Sequence, residues 1–363
     1  MKNLPNILIL IFLGILGGCQ GSKTSPASLE LTFNRGAQLL AAGNPKAAIP
    51  FLSQTIAATP DGPEPVALLA LAFALDLQSE QAILEARMVR RPTNHPPGWE
   101  AVAVGIAETV RRRPEEAIAS FQRVLATAPA ESALVPATRQ WLALAQVIHG
   151  DHDAALVTLK ELAKQPSMKT SALLWILLIH ARDSQTQPPA GTVLYSANNL
   201  TIRARDWQTP LAAEALIQCA GEIATTFRKP AYEDYLDDQT LYDSAIGAIA
   251  DGKFDHARQL LATLQGRETD GGDATLWMAL IDAAQGRWQA ARNGLADACE
   301  NGPLPARGLA SQLCAVVYAM EDRPESMIQR MLAGQSMMGR NTSPAHIIET
   351  SKPESVWFSD AVN

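Results

Sequence analysis

The sequence predicts an all-α fold: a right-handed α-solenoid of stacked helix-turn-helix repeats with an irregular helical middle. Three observations predict it. First, small residues recur in pairs 12 apart: Gly36/Ala48, Ala70/Ala82, Gly105/Ala117, Ala143/Ala155, Ala245/Ala257, Ala279/Ala291 and, more weakly, Ala315/Met327. The steps between pairs are 34, 35, 38, 102, 34 and 36 residues, and 102 is three times 34. A period in this range marks two-helix units that stack on their neighbours. Second, four residues after each second small residue stands an apolar one: Leu52, Ala86, Phe121, Leu159, Leu261, Leu295 and Met331. One helical turn places it on the same buried face. Third, only 6% of residues are aromatic, alanine is abundant and β-branched runs are few, which favours helix.

These features resemble the tetratricopeptide repeat family over residues 29–165 and 238–335. The turn glycines Gly43, Gly150, Gly252 and Gly286 and the terminal prolines Pro60 and Pro129 fit it. At the family's large first-helix residue, Leu39 and Phe73 fit, whereas Glu108, Gln146 and Asp282 depart. The resemblance implies a protein-interaction scaffold and leaves the partner open.

The chain opens with Lys2, an apolar run from Ile7 to Ile15 and small residues before Cys19. That is the pattern of an export signal, residues 1–18, too short for a membrane-spanning helix. Leu16-Gly17-Gly18-Cys19 resembles a bacterial lipobox, which implies lipidation of Cys19 and anchorage in a bilayer through its acyl chains. Gln20 stands where inner-membrane-retained lipoproteins carry Asp, so the same resemblance implies the outer membrane, facing the periplasm. Residues 19–28 are small and polar and read as the lipidated cysteine and a flexible tether.

Residues 29–166 form an N-terminal array of four repeats. The first ends in the turn cluster Thr59-Pro60-Asp61-Gly62-Pro63, and the second turns at Leu77-Gln78-Ser79 without a glycine. From 167 to 237 the phase fails. Helical patterns persist at Ser171–Arg182 and Leu211–Phe227, and the 102-residue step leaves room for two degenerate units. Residues 238–335 return to phase, with Trp277 at the repeat position of Trp141. Residues 336–363 read as a tail carrying the apolar point Val356-Trp357-Phe358.

The net charge is −7, so the broad basic footprint of a nucleic-acid binder is missing. No metalloprotease, nucleophile-elbow or phosphate-loop motif occurs, and no catalytic residue, cofactor or metal site is assigned; the expectation is a non-enzyme. His149-x-x-His152 with Asp151 and Asp153 is the nearest approach to a metal cluster, yet it falls where an inter-helix turn needs Gly and Asp. Cys219, Cys299 and Cys314 remain besides Cys19. The last two fall on consecutive helices, as a bridge or as buried free thiols. Arg87, Arg90, Arg91 and Arg111–Arg113 fall at helix C-termini, where cations offset the helix dipole; docking of an acidic partner or anionic lipid is the alternative. Tyr232, Tyr235 and Tyr242 among acidic residues suggest a solvated connector or a contact surface.

In tetratricopeptide arrays the first helices line a concave groove. By that resemblance the groove here carries Phe33, Ala37 and Leu40 from repeat one, Trp99, Val102 and Ile106 from repeat three, and Gln140 and Leu144 from repeat four. It is apolar, so it requires cover. The expected cover is an amphipathic helix or extended segment of an envelope protein, or, in cis, the irregular middle or Trp357-Phe358. The function expected is a membrane-anchored adaptor of the bacterial cell envelope. The alternative is a glycan- or nutrient-binding outer-membrane lipoprotein on a helical-repeat scaffold.

Overall fold

The computed structural model describes residues 26–60, 62–89, 98–130, 132, 134–183, 193–197, 200–227, 236–265, 271–303 and 306–338. Within them the chain forms consecutive helix pairs. The first four are α1 (Pro26–Ala41) with α2 (Pro45–Ala58), α3 (Pro63–Leu75) with α4 (Ser79–Met88), α5 (Trp99–Val110) with α6 (Pro114–Thr127), and α7 (Leu134–His149) with α8 (His152–Leu162). A short 3-10 turn at Pro166–Met168 precedes α9 (Lys169–Asp183), which packs on α10 (Ala204–Phe227). The last three pairs are α11 (Leu236–Ala250) with α12 (Phe254–Gln265), α13 (Gly271–Ala284) with α14 (Trp288–Asn301), and α15 (Ala306–Met320) with α16 (Pro324–Met338).

One backbone device closes every in-phase pair. The residue seven after the small one is left-handed in all seven units: Gly43, Leu77, Arg112, Gly150, Gly252, Gly286 and Asp322. The next amide then reaches back five residues to the carbonyl three after the small residue. Examples are Asn44 to Leu39 at 2.9 Å, Arg113 to Glu108 at 2.9 Å and Arg323 to Tyr318 at 2.9 Å. This is the Schellman closure of a helix C-terminus. The following helix starts at once, with Pro45 and Pro114 at first-turn positions and Asn44 and Asp151 capping the amides of Ala47 and Ala154.

The packing beneath these turns follows from residue size. The residues 12 after the small one, Ala48, Ala82, Ala117, Ala155, Ala257, Ala291 and Met327, are each 0% exposed, and the apolar residue four further on is buried in every unit. A Cβ placed on Gly36 would meet the Leu52 side chain at 2.9 Å, and one on Gly105 would lie 2.4 Å from the Phe121 ring. The small residue therefore makes room for the large one across the hairpin.

First and second helices divide into layers. α6 and α12 bury one stripe each (Ala117, Ser120, Phe121, Val124; Phe254, Ala257, Leu261, Leu264), as outer helices do. The same stripe is Ala155, Leu159 and Leu162 in α8, and it includes Ala291 and Leu295 in α14. α3, α7, α9 and α15 are buried on nearly all sides, and Ala274, Leu276, Trp277, Leu280 and Ile281 of α13 are likewise inaccessible. They form the inner layer.

The irregular middle adds β structure to the helical fold. Among its described residues it holds one helix pair, α9 and α10, tied by Lys169 to Glu222 at 3.4 Å and by the Thr170 hydroxyl to the same carboxylate. Between them lies a small antiparallel hairpin of β1 (Val193–Ala197) and β2 (Leu200–Arg203), with Ser196 opposite Thr201. Val, Tyr, Thr and Ile at these positions suit a pleated ribbon better than a helix.

Candidate interaction surface

The eight groove positions sort clearly. Phe33, Ala37, Leu40, Val102, Ile106, Gln140 and Leu144 are buried, the extremes being 7% exposure for Phe33 and 0% for Val102, Ile106 and Leu144. Trp99 is half-buried. Of the corresponding positions in the C-terminal repeats, Tyr242, Ile249, Leu276, Leu280, Gln312 and Val316 are buried and Ile246 is half-buried. Seven of the eight groove positions are thus covered within the chain itself.

The small residues expected to pack the repeats lie in the core. In the N-terminal array Gly36, Ala48, Gly105, Ala117, Ala143 and Ala155 are all buried. In the C-terminal repeats Ala245, Ala257, Ala279 and Ala291 are buried too. Ala155 and Ala291 lie on the inward stripes of α8 and α14, where a partner could not touch them. All ten are core positions, and their small size lets the helices of each pair approach closely.

The cover comes from the C-terminal repeats, which was not among the expected cis segments. α15 packs on α7 and α9, α13 on α9 and α10, and α16 on α5. The first and last pairs meet directly, since a Cβ on Gly43 would stand 2.7 Å from the Leu332 carbonyl oxygen and 3.5 Å from the Ser336 amide nitrogen. Arg112 in the turn of the α5–α6 pair pairs with Asp322 in the turn of the α15–α16 pair. Arg182 at the end of α9 lies over the Trp288 ring of α14, 6.0 Å from its centre. The physical cause is the apolarity of both concave faces: each is a poor surface in water and a good one for the other.

The three residues that depart from the repeat pattern each have a polar or charged partner. Asp282, 6% exposed, accepts from Arg287 at 2.6 and 2.9 Å and is held by Arg258. The Gln146 side-chain oxygen accepts from the Thr158 hydroxyl at 2.8 Å, and Glu108 pairs with Arg111 at 3.4 Å and Arg113 at 3.9 Å. The Arg111–Arg113 cluster is therefore engaged in intramolecular pairs, while Arg90 and Arg91 lie outside the described residues.

The turn at His149–Asp153 is built as a helix junction. Asp151 caps α8, His149 is exposed, and the His152 ring bonds the Asp183 carboxylate at 2.6 Å. That bond raises the His152 pKa, and burial lowers that of His180 nearby. Among the described residues no three His, Cys, Asp or Glu side chains are placed to share a metal ion. Tyr242 is 2% exposed, and its hydroxyl accepts from the Trp277 indole at 3.0 Å, so it belongs to the core rather than to a surface patch. Tyr232 and Tyr235, the leader with Cys19, and the tail with Trp357-Phe358 lie outside the described residues. No described helix is long and apolar enough to cross a membrane.

The outer faces leave Leu31 of α1, Leu84 and Met88 of α4, and Val157 of α8 exposed. Of the tryptophans whose side chains are described, Trp141, Trp175, Trp277 and Trp288 are buried, and Trp99 alone is half-buried. They offer no aromatic platform of the kind a sugar ring stacks on.

No family model matches the chain, and no curated protein matches it. Among solved structures it is similar to one titled a crystal structure of the P58(IPK) TPR domain, at 16% identity over 90% of this chain and 100% of that one, with a TM-score of 0.25. The tetratricopeptide-like character of the fold is carried by its own register of small residues, left-handed turns and paired helices.

Proposed function

We propose that this chain is a lipid-anchored scaffold of the bacterial cell envelope, tethered by Cys19 to the outer membrane on its periplasmic side, that binds other envelope proteins. The observation that carries the reading is the groove filled in cis. Its occupant α15 buries Leu309, Gln312, Leu313 and Val316. A partner helix with the same amphipathic chemistry is the ligand this surface suits, entering as α15 and α16 withdraw. The closed form then keeps the apolar faces covered until a partner arrives. The glycan-binding alternative has no comparable support, because the described tryptophans are turned inward.

The test uses the soluble form starting at Gly21 as bait in detergent-solubilised envelope, beside the Arg112→Ala/Asp322→Ala variant. The reading expects a defined protein, retained more strongly by the variant whose closing ion pair is gone. Retention on polysaccharide without a protein, or a protein captured equally by both forms, overturns it. For the anchor, Cys19→Ala is expected to move the full-length protein from the membrane to the soluble fraction.

A further inference from the structure

We propose that Cys299 and Cys314 are a reactive dithiol that small disulfides oxidise to an intramolecular bridge, with Cys299 as the attacking sulfur. Both are free in the structure and buried at the α14–α15 interface. The Cys314 thiol points to the Leu295 carbonyl at 3.5 Å, one turn before Cys299 on the same helix. The Cys299 sulfur lies 3.2 Å from the Ser311 hydroxyl, one turn before Cys314 on the facing helix. The two sulfurs therefore share one small polar pocket between adjacent turns.

A third element enters it. The Arg330 guanidinium, from α16, donates to the Cys299 sulfur at 2.6 Å and lies 3.7 Å from Glu300. A cation and two hydroxyl or thiol donors on one sulfur favour its thiolate. The hydrogen bond from Cys314 is the largest influence holding the Cys299 thiol below the usual range, and it pushes Cys314 up. The pair thus titrates as a unit, with Cys299 giving up its proton first. Cys219 is the internal contrast: burial in α10 pushes its thiol up to about 12, with Lys169 only a lesser, lowering influence. Arg330 is itself 30% exposed, so displacing its side chain opens the route to Cys299 from solvent.

The chemistry balances with a small disulfide RSSR as oxidant. The Cys299 thiolate attacks one sulfur of RSSR, the S–S bond breaks, and RS⁻ leaves and takes up a proton. Cys314 then loses its proton, its sulfur attacks Cys299 of the mixed disulfide, and the second RS⁻ leaves. Two protein thiols are oxidised and one RSSR is reduced to two RSH.

The experiment treats the folded form starting at Gly21 with oxidised glutathione, quenches with acid, and determines intact mass and thiols after denaturation. The proposal expects loss of two hydrogens, no retained glutathione, one alkylatable thiol (Cys219) and a cross-linked peptide joining 299 to 314. Cys314→Ser is expected to trap one glutathione on Cys299, and Cys299→Ser to trap none. Arg330→Gln, folded by circular dichroism, is expected to slow oxidation about tenfold near pH 7 and to move its pH profile upward. Three free thiols after treatment, an adduct on Cys314 or Cys219, or an unchanged pH profile in Arg330→Gln overturns the assignment.

Discussion

Arg112 and Asp322 form an ion pair between the α5–α6 turn and the α15–α16 turn, 210 residues apart in sequence, and each holds the left-handed position of its own turn. The pair fastens one end of the array to the other at the surface, where both side chains are about half exposed. Such pairs contribute about 0.2–1 kcal/mol. Single charge reversals at either position are expected to destabilise by that amount, and the double exchange Arg112→Asp/Asp322→Arg to recover part of it, in urea unfolding.

The same turn separates backbone strain from charge. Asp322→Ala and Asp322→Gly both remove the ion pair, but only glycine relieves the left-handed strain. Asp322→Gly is expected to be more stable than Asp322→Ala by about 1 kcal/mol. Equal midpoints in a urea titration would show that the turn carries no strain.

Gly43 and Gly150 occupy equivalent turns with different surroundings. Nothing stands within 4 Å of a Cβ on Gly150, whereas one on Gly43 meets the Leu332 carbonyl. Gly150→Ala is expected to cost about 1–2 kcal/mol, the conformational penalty alone. Gly43→Ala adds a backbone clash with α16, so it is expected to cost more and to raise amide exchange in α16. The comparison is made by hydrogen exchange and chemical denaturation.

The pairing of Gly105 with Phe121 predicts a coupled cost. Gly105→Ala forces a methyl into a fully buried ring and is expected to destabilise by about 1–3 kcal/mol. Phe121→Leu alone destabilises by leaving space. Combined, the two are expected to cost less than their sum by at least about 0.5 kcal/mol in a double-mutant cycle.

The bond from His152 to Asp183 predicts a pH dependence with a defined sign. A histidine whose folded pKa is raised stabilises fully below its ordinary value of 6.5, and that contribution is lost as pH rises through the raised folded value. His180 acts oppositely, because burial lowers its pKa and its protonation on acidification destabilises. The His152 contribution is therefore read as a difference: wild type minus His152→Gln is expected to be largest at about pH 5.5 and to shrink by about pH 8.5. Asp183→Asn should flatten the difference.

The hairpins were legible because their determinants are local. Small residues, the apolar residue 16 positions on and four of the seven left-handed turn residues stand in the sequence in register. The other three, Leu77, Arg112 and Asp322, are not glycines, and only the spacing from the small residue locates them. Glu108, Gln146 and Asp282 read as breaks in the pattern because their partners fall off the repeat positions: Arg111 and Arg113 in the turn after Glu108, Thr158 on the next helix for Gln146, and Arg258 from the preceding helix for Asp282. The same register that located Ala155 and Ala291 says which faces pack within a pair, and nothing about which faces a partner can reach. Closure was the part that local reading missed, since it depends on two concave faces meeting across pairs that are not sequence neighbours. Its trace was present in the apolar groove positions and in α9, whose run Ala172–Ala181 is hydrophobic on all sides and marks a central helix.

The central claim, that the first and last pairs close on each other and fill the groove in cis, is tested most directly by one distance. Nitroxide labels on Asn44→Cys and Ser336→Cys, in the form starting at Gly21 with Cys219, Cys299 and Cys314 changed to Ser, report it by pulsed electron spin resonance. A short, narrow distribution is predicted, and it should broaden in Arg112→Ala/Asp322→Ala. A long, broad distribution in the unmodified background would contradict the closed arrangement.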